Sequence, residues 1–142
     1  MIGQTTGTYP VSSGVYSNAN GSQYIHKLSS DLTTTVFSTV FGTGSSNIDI
    51  SPTAFLVDDC ENIYVSGWGG GNNYYGTVIG MPITTDAFQS TSDGDDLYFL
   101  VLERNATSIL YGTVYGGLTS NEHVDGGTSR FDKSKVLRGR YG

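Results

Sequence analysis

Short apolar and aromatic runs recur along the chain, and Gly, Asn, Asp or Ser residues bound each of them. β-Branched and aromatic residues favour strands, and turn-forming residues mark where a strand stops. Along 109–115 the period is two, since Leu110, Gly112 and Val114 share one face and the residues between them share the other. The pattern predicts six strands, at residues 23–28, 35–41, 53–57, 63–68, 97–102 and 109–115.

Three blocks of the chain recur in the same order and with the same chemical character; the pairs are 10–16 with 82–88, 24–28 with 98–102, and 36–42 with 110–116. The second and third pairs share one spacing, which we call the repeat offset, and a short insertion separates them from the first pair. A weaker match pairs Phe131-Asp132 with Val57-Asp58 at the repeat offset. The repeat predicts the second half of one unit over 1–46, a complete unit over 47–120 and the start of a third over 121–142.

Each complete unit holds four predicted strands that follow one another along the chain. Four antiparallel strands per repeat is the pattern of a β-propeller blade. The predicted fold is therefore all-β, a partial β-propeller of about two four-stranded antiparallel blades with long loops. The longest loop, 69–96, lies between the second and third strands, and long loops of this kind commonly carry function.

Composition and charge exclude several classes of function. Residues 1–129 hold 12 of the 13 acidic residues and only two basic ones, so the body of the chain repels nucleic acid. We find no apolar run of the length that a transmembrane helix needs, so membrane insertion is not expected. Cys60 is the single cysteine and cannot form an internal disulfide. No cofactor motif is present, and we expect no cofactor.

The start of the long loop combines aromatic side chains with glycine and asparagine. Trp68, Asn72, Tyr74 and Tyr75 form a candidate binding surface, because aromatic rings on such a loop stack on sugar rings or on a partner protein. The alternative is that Trp68 ends a strand and packs between repeats.

The end of the same loop is acidic. Asp93, Asp95 and Asp96 resemble a calcium loop in outline, and they form a candidate metal site. An EF-hand would need a glutamate at position 12 of the loop, where this chain has Arg104. The alternative is a turn before a strand, with its carboxylates in water.

Five blocks together resemble the bacterial β-propeller repeats known as SBBP repeats; the blocks are 54–58, 62–68, 82–89, 95–102 and 110–117. The family pattern contains a strand ending in Asp, an Asn-(Ile/Val)-Tyr-Val-(Thr/Ser)-Gly strand, a Pro-Thr-Thr-x-x-Ala-Phe-Gln loop and a strand pair ending in Tyr-x-Thr-Tyr-x-Gly-Gly. The resemblance implies a propeller in a large secreted or surface-anchored bacterial protein. No catalytic residues are established for this family, so the resemblance assigns none to this chain.

The expected function is that of a non-catalytic propeller segment at the cell surface, which acts as a scaffold or binds a glycan or a surface protein. The expected neighbours are the remaining blades of a parent chain, or copies of the same chain. The alternative is a fragment of a propeller-fold enzyme that degrades polysaccharides, and such an enzyme would need convergent carboxylates.

Overall fold

The computed structural model describes residues 1–70, 76–124, 130–132 and 134, and the backbone of 137–138. Within these residues the chain forms nine strands and one short 3-10 turn at Arg104–Ala106. The strands are β1 Ile2–Gln4, β2 Gln23–Leu28, β3 Thr35–Phe41, β4 Ser51–Val57, β5 Ile63–Trp68, β6 Leu97–Leu102, β7 Ile109–Tyr115, β8 Arg130–Phe131 and β9 Leu137–Arg138. The all-β prediction is confirmed.

The strands form three antiparallel sheets that follow chain order: β1-β2-β3, β4-β5-β6-β7 and β8-β9. The sheets do not close on themselves within the described residues. All six predicted strands are present, and β4 begins slightly earlier than predicted, at Ser51, with an irregularity between Pro52 and Ala54. The first sheet has three strands, because β1 pairs with β2 and the sequence did not predict β1.

The hydrogen-bond register repeats between the first two sheets at the offset that the sequence predicted. Ile25 lies opposite Thr39 in the first sheet, and Phe99 lies opposite Thr113 in the second, so both partners move by the repeat offset. The turns that follow β2 and β6 also match. Ser29 N–H donates to the Thr34 carbonyl in one, and Glu103 N–H donates to the Ser108 carbonyl in the other, at 2.9 and 3.0 Å.

The β8–β9 hairpin repeats the β4–β5 hairpin. Phe131 lies opposite Leu137, as Val57 lies opposite Ile63. The Asp side chain after the first strand holds the turn in both hairpins. Cys60 N–H donates to Asp58 Oδ1 at 2.8 Å, and Ser134 N–H donates to Asp132 Oδ1 at the same distance. The two hairpins therefore match at the repeat offset, where the sequence aligned Phe131-Asp132 with Val57-Asp58.

The first two sheets share one hydrophobic core. Its buried members include Ile25, Phe37 and Phe41 from the first sheet, with Val65 and Leu100 from the second. Three polar contacts link the two sheets and their loops at the margins of the core. Gln4 Nε2 donates to the Ile50 carbonyl at 2.8 Å, and Tyr16 N–H donates to the Ala106 carbonyl at 2.7 Å. Lys27 forms an ion pair with Glu61 at 2.8 Å. The sheets are thus held face against face, and their strand ends are left for loops.

The described part of the chain contains no helix with the length and apolar character needed to cross a membrane.

Candidate functional site

The two candidate sites of the sequence meet at one corner of the second sheet. Trp68 ends β5 directly opposite Leu97, which begins β6. Gly69 N–H donates to the Asp96 carbonyl at 3.2 Å, so the aromatic and acidic ends of the long loop lie side by side. We call this region the β5–β6 corner and define it as residues 68–70, 92–97 and 116–123.

Trp68 is half-buried and contacts a histidine that the sequence analysis did not select. The Trp68 and His123 rings lie 5.6 Å apart between centroids and are tilted by 57°. His123 is exposed, so the pair presents aromatic surface at the corner. The other three candidates for the aromatic surface (Asn72, Tyr74 and Tyr75) lie outside the described residues.

The three acidic candidates take different positions. Asp93 is exposed and accepts the Asp95 N–H at 3.1 Å, in a turn that leads into β6. Asp95 is half-buried against Gly70, where a β-carbon would lie only 1.7 Å from Asp95 Oδ1. Asp96 is completely buried. Among the described residues no three His, Cys, Asp or Glu side chains converge as a metal site.

The carboxylate that faces Asp96 is Glu122, from the loop after β7. A β-carbon at Gly116 would lie 1.7 Å from Asp96 Oδ1 and 2.4 Å from Glu122 Oε2, so the two oxygens are at most about 4 Å apart. Neither oxygen of Asp96 has a hydrogen-bond donor. Glu122 is held in place, because Oε2 accepts the Gly117 N–H at 3.1 Å and Oε1 accepts the Ser120 hydroxyl at 2.6 Å.

This placement shifts the pKa values of the two carboxyl groups in opposite directions. Burial raises the pKa of Asp96 to about 6; the nearby Ser92 hydroxyl acts against this shift, and Glu122 and Asp93 add to it. Burial also acts to raise the pKa of Glu122, but the hydrogen bonds from the Ser120 hydroxyl and the Gly117 N–H, together with the neighbouring Asp96 carboxyl, outweigh it and lower that pKa. Of the two carboxyl groups, Asp96 therefore has the higher pKa.

The first unit has an equivalent corner after β3, and it contains one carboxylate, Asp49, instead of two. Asp49 Oδ2 accepts the Thr43 N–H at 2.9 Å, as Glu122 accepts that of Gly117, and Thr43 and Gly117 are related by the repeat offset. With its amide oriented to satisfy both ends, Gln23 donates to Asp49 Oδ2 at 3.2 Å and accepts the Asp49 N–H at 2.9 Å. Position 22, which aligns with Asp96, is a buried serine. Only the second unit therefore places a carboxylate against the capping carboxylate.

An apolar cleft of about 390 Å³ lies between the first two sheets, away from the corner. Ile25, Phe37, Phe55 and Ile63 contribute to its lining, and the ion-paired side chains Lys27 and Glu61 also border it. Its apolar lining suits contact with hydrocarbon side chains rather than with a polar ligand.

Comparison with known proteins yields no relative: no family model, no curated protein and no solved structure matches the chain. The function is therefore inferred from the internal repeat and from the β5–β6 corner. The corner combines a Trp–His ring pair, three exposed or half-buried carboxylates and the completely buried Asp96. The ring pair and these three carboxylates can contact a ligand at the surface, whereas Asp96 cannot reach one.

Proposed function

We propose that the chain is a non-catalytic β-propeller repeat segment of a secreted or cell-surface bacterial protein, which acts as a scaffold and binds a glycan or a protein at the β5–β6 corner. The observation that supports this proposal most strongly is the recurrence of strand register and turn hydrogen bonds across three units at the repeat offset. Repeats whose hydrogen bonds superimpose in this way are typical of arrays built from one structural unit.

The surfaces of the second sheet support a place within a longer array. On β7, which is an edge strand of this sheet, Leu110 and Tyr115 are 46% and 50% exposed. Large apolar side chains on sheet strands are normally covered by a neighbouring layer. We infer that the neighbours are further repeats of the parent protein or, for the isolated chain, copies of itself.

The β5–β6 corner supports the binding role. A tilted Trp–His pair offers an apolar face of the kind on which sugar rings and partner side chains stack. Asp93 and Asp95 lie at the same corner, and carboxylate oxygens accept hydrogen bonds from sugar hydroxyls or from basic side chains. This chemistry favours a neutral or basic ligand over an anionic one.

The alternative of a polysaccharide-degrading enzyme gains no support from the one close carboxyl pair. An acid and a base must both reach the glycosidic bond. Asp96 is completely buried, so it cannot donate a proton to a substrate at the surface.

A glycan array and a pull-down from surface-protein extracts test the binding role with the full chain. Trp68→Ala should abolish binding, and Phe55→Ala, which removes an exposed aromatic side chain from β4, should leave it unchanged. Equal binding by wild type and Trp68→Ala contradicts the assignment of the corner. Polysaccharide turnover that Asp95→Asn abolishes contradicts the non-catalytic role.

A further inference from the structure

The Asp96 carboxylate has no adequate partner within the described protein. Its side chain is completely buried, and both oxygens lack a donor. The nearby Ser92 hydroxyl acts to lower the pKa of Asp96, but neither Asp96 oxygen has a hydrogen bond of normal distance and angle. Buried carboxylates are normally hydrogen-bonded, paired with a cation or coordinated to a metal, because an isolated buried charge is costly. This group therefore points to something that the amino-acid side chains do not supply.

Other side chains bring oxygen atoms close to Asp96, where they could share a bound cation with it. Glu122 places Oε2 at most about 4 Å from Asp96 Oδ1. Gln89 Oε1 accepts the Gly116 N–H at 3.3 Å and so adds a neutral oxygen beside the same glycine. The Asp95 carbonyl accepts the Glu122 N–H at 2.8 Å, which fixes the loop that carries Glu122 against the start of β6.

The ligand set is that of a hard cation. Ca²⁺ prefers carboxylate, amide and water oxygens, and a site with two carboxylates can take its remaining ligands from water. The nearest histidine, His123, has its ring against Trp68. Soft metals that depend on thiolate or imidazole ligands are therefore disfavoured.

The first unit provides an internal comparison. There, Gln23 fills the corner and donates an N–H to Asp49, so every oxygen of the capping carboxylate is satisfied by neutral groups. The second unit replaces this neutral donor with the negative charge of Asp96. In the first unit the Gln23 amide satisfies the capping carboxylate, so no positive charge is needed there. In the second unit a bound cation would supply the positive charge that balances the two carboxylates.

We propose that Asp96 and Glu122 bind one divalent cation, Ca²⁺ by its ligand chemistry, at the β5–β6 corner. This site differs from the acidic loop that the sequence suggested, because its second carboxylate, Glu122, comes from beyond β7. The cation would join the start of β6 to the loop after β7 and brace the corner that carries Trp68 and His123. The site does not depend on what the corner binds.

Terbium luminescence tests the proposal on the full chain, because Tb³⁺ replaces Ca²⁺ at oxygen sites and Trp68 is the single tryptophan of the chain. Excitation of Trp68 should give Tb³⁺ emission that added Ca²⁺ displaces. Asp96→Asn and Glu122→Gln should each weaken binding at least about tenfold, because each removes one charged ligand. Asp86→Asn, at an exposed aspartate with the same change in net charge, should leave the affinity within about twofold.

A second measurement keeps the proposal independent of the luminescence. Ca²⁺ should raise the unfolding temperature of the wild-type chain relative to the chain in EDTA, and it should not do so for Asp96→Asn. Binding that Asp96→Asn and Glu122→Gln leave unchanged, or that Asp93→Asn alone abolishes, overturns the proposal. It is also overturned if neither Tb³⁺ nor Ca²⁺ binds to the wild-type chain.

Discussion

The Gln23 amide donates to Asp49 Oδ2 at 3.2 Å and takes the Asp49 N–H in return at 2.9 Å. Asp49 thereby caps the chain after β3 with its hydrogen bonds complete. Glu122 caps the chain after β7 in the same way, but it faces the Asp96 carboxylate instead of an amide. In both units a carboxylate thus accepts a backbone N–H after the last strand of the sheet. The units differ because the second one places the buried Asp96 carboxylate beside this cap, and the difference can be measured.

Asp96→Asn should stabilise the metal-free chain. The asparagine amide can donate to Glu122, as Gln23 donates to Asp49, and it removes a buried carboxylate without a donor. We expect a gain of about 1 kcal/mol, the worth of one recovered buried hydrogen bond. Urea unfolding in EDTA near neutral pH measures it.

The matched change in the first unit provides the control. Asp49→Asn should destabilise the chain, because Asp49 accepts bonds from Thr43 N–H, Thr43 Oγ1 and the Gln23 amide, and an asparagine amide offers one oxygen where the carboxylate offers two. Loss of stability in both variants would show that Asp96 is satisfied in a way that its surroundings do not indicate.

The stability of the metal-free chain should depend on pH through Asp96. Burial raises the folded pKa of Asp96 to about 6 from its usual 3.8, so the folded state binds the proton more tightly than the unfolded state does. This contribution is fully present below the unfolded pKa and is lost as pH rises through the folded pKa. The lowered pKa of Glu122 acts in the opposite sense, with stability lost as pH falls.

The difference between wild type and Asp96→Asn isolates the effect of Asp96. In EDTA, the free energy of unfolding of the wild type relative to that of the variant should fall between about pH 4 and about pH 6.5 and should then stay constant. Unfolding by urea across this range checks the prediction. A relative stability that is constant throughout, or that shifts in favour of the wild type as pH rises, contradicts the raised pKa.

The strands were predictable from local sequence because each is a short run of apolar, β-branched or aromatic residues between turn-forming residues. Five of the six predicted strands have the bounds that the pattern indicated, and β4 starts early because an irregularity accommodates Pro52. β1 was not predictable in this way. It is very short, and its pairing depends on β2, which begins only at Gln23, after a long intervening stretch of chain.

The β5–β6 corner was predictable only in part. The sequence selected Trp68 and Asp96 as neighbours of one loop, and strand pairing brings them together. It did not select Glu122 or His123, because a single glutamate and a single histidine in a loop have no spacing that marks them. The signal that was available is Asp49, which caps the chain after β3 as Glu122 does after β7, and structural alignment of the units was needed to see it.

Gly112→Ala should destabilise the chain. The loop before β6 runs along β7 at this residue, where Thr84 N–H donates to the Gly112 carbonyl at 3.1 Å. A β-carbon at residue 112 would lie 2.5 Å from the Pro82 carbonyl oxygen, which is backbone and cannot swing away. We expect a loss of about 1–3 kcal/mol, typical of an overpacked site.

Thermal or urea unfolding measures this loss, and Gly7→Ala is the matched control. A β-carbon at Gly7 meets no atom within 4 Å, so that variant should stay within about 0.5 kcal/mol of the wild type. Equal stability of the two variants would mean that the loop before β6 does not pack on β7 as described.

Leu32→Asn should stabilise the chain, although it removes a large apolar side chain. Leu32 lies at the tip of the β2–β3 turn with φ of 62°, in the left-handed region that disfavours leucine and that asparagine tolerates, and its side chain is 73% exposed. We expect a gain of about 0.5–1 kcal/mol, measured by urea unfolding.

Ala106 occupies the same position of the β6–β7 turn, with φ of 57°, but it is completely buried in the shared core. Ala106→Asn should therefore lose about 2 kcal/mol or more, because the polar amide would enter that core. If both asparagine variants change stability in the same direction, burial does not separate the two turns and the repeat is less exact than the hydrogen bonds indicate.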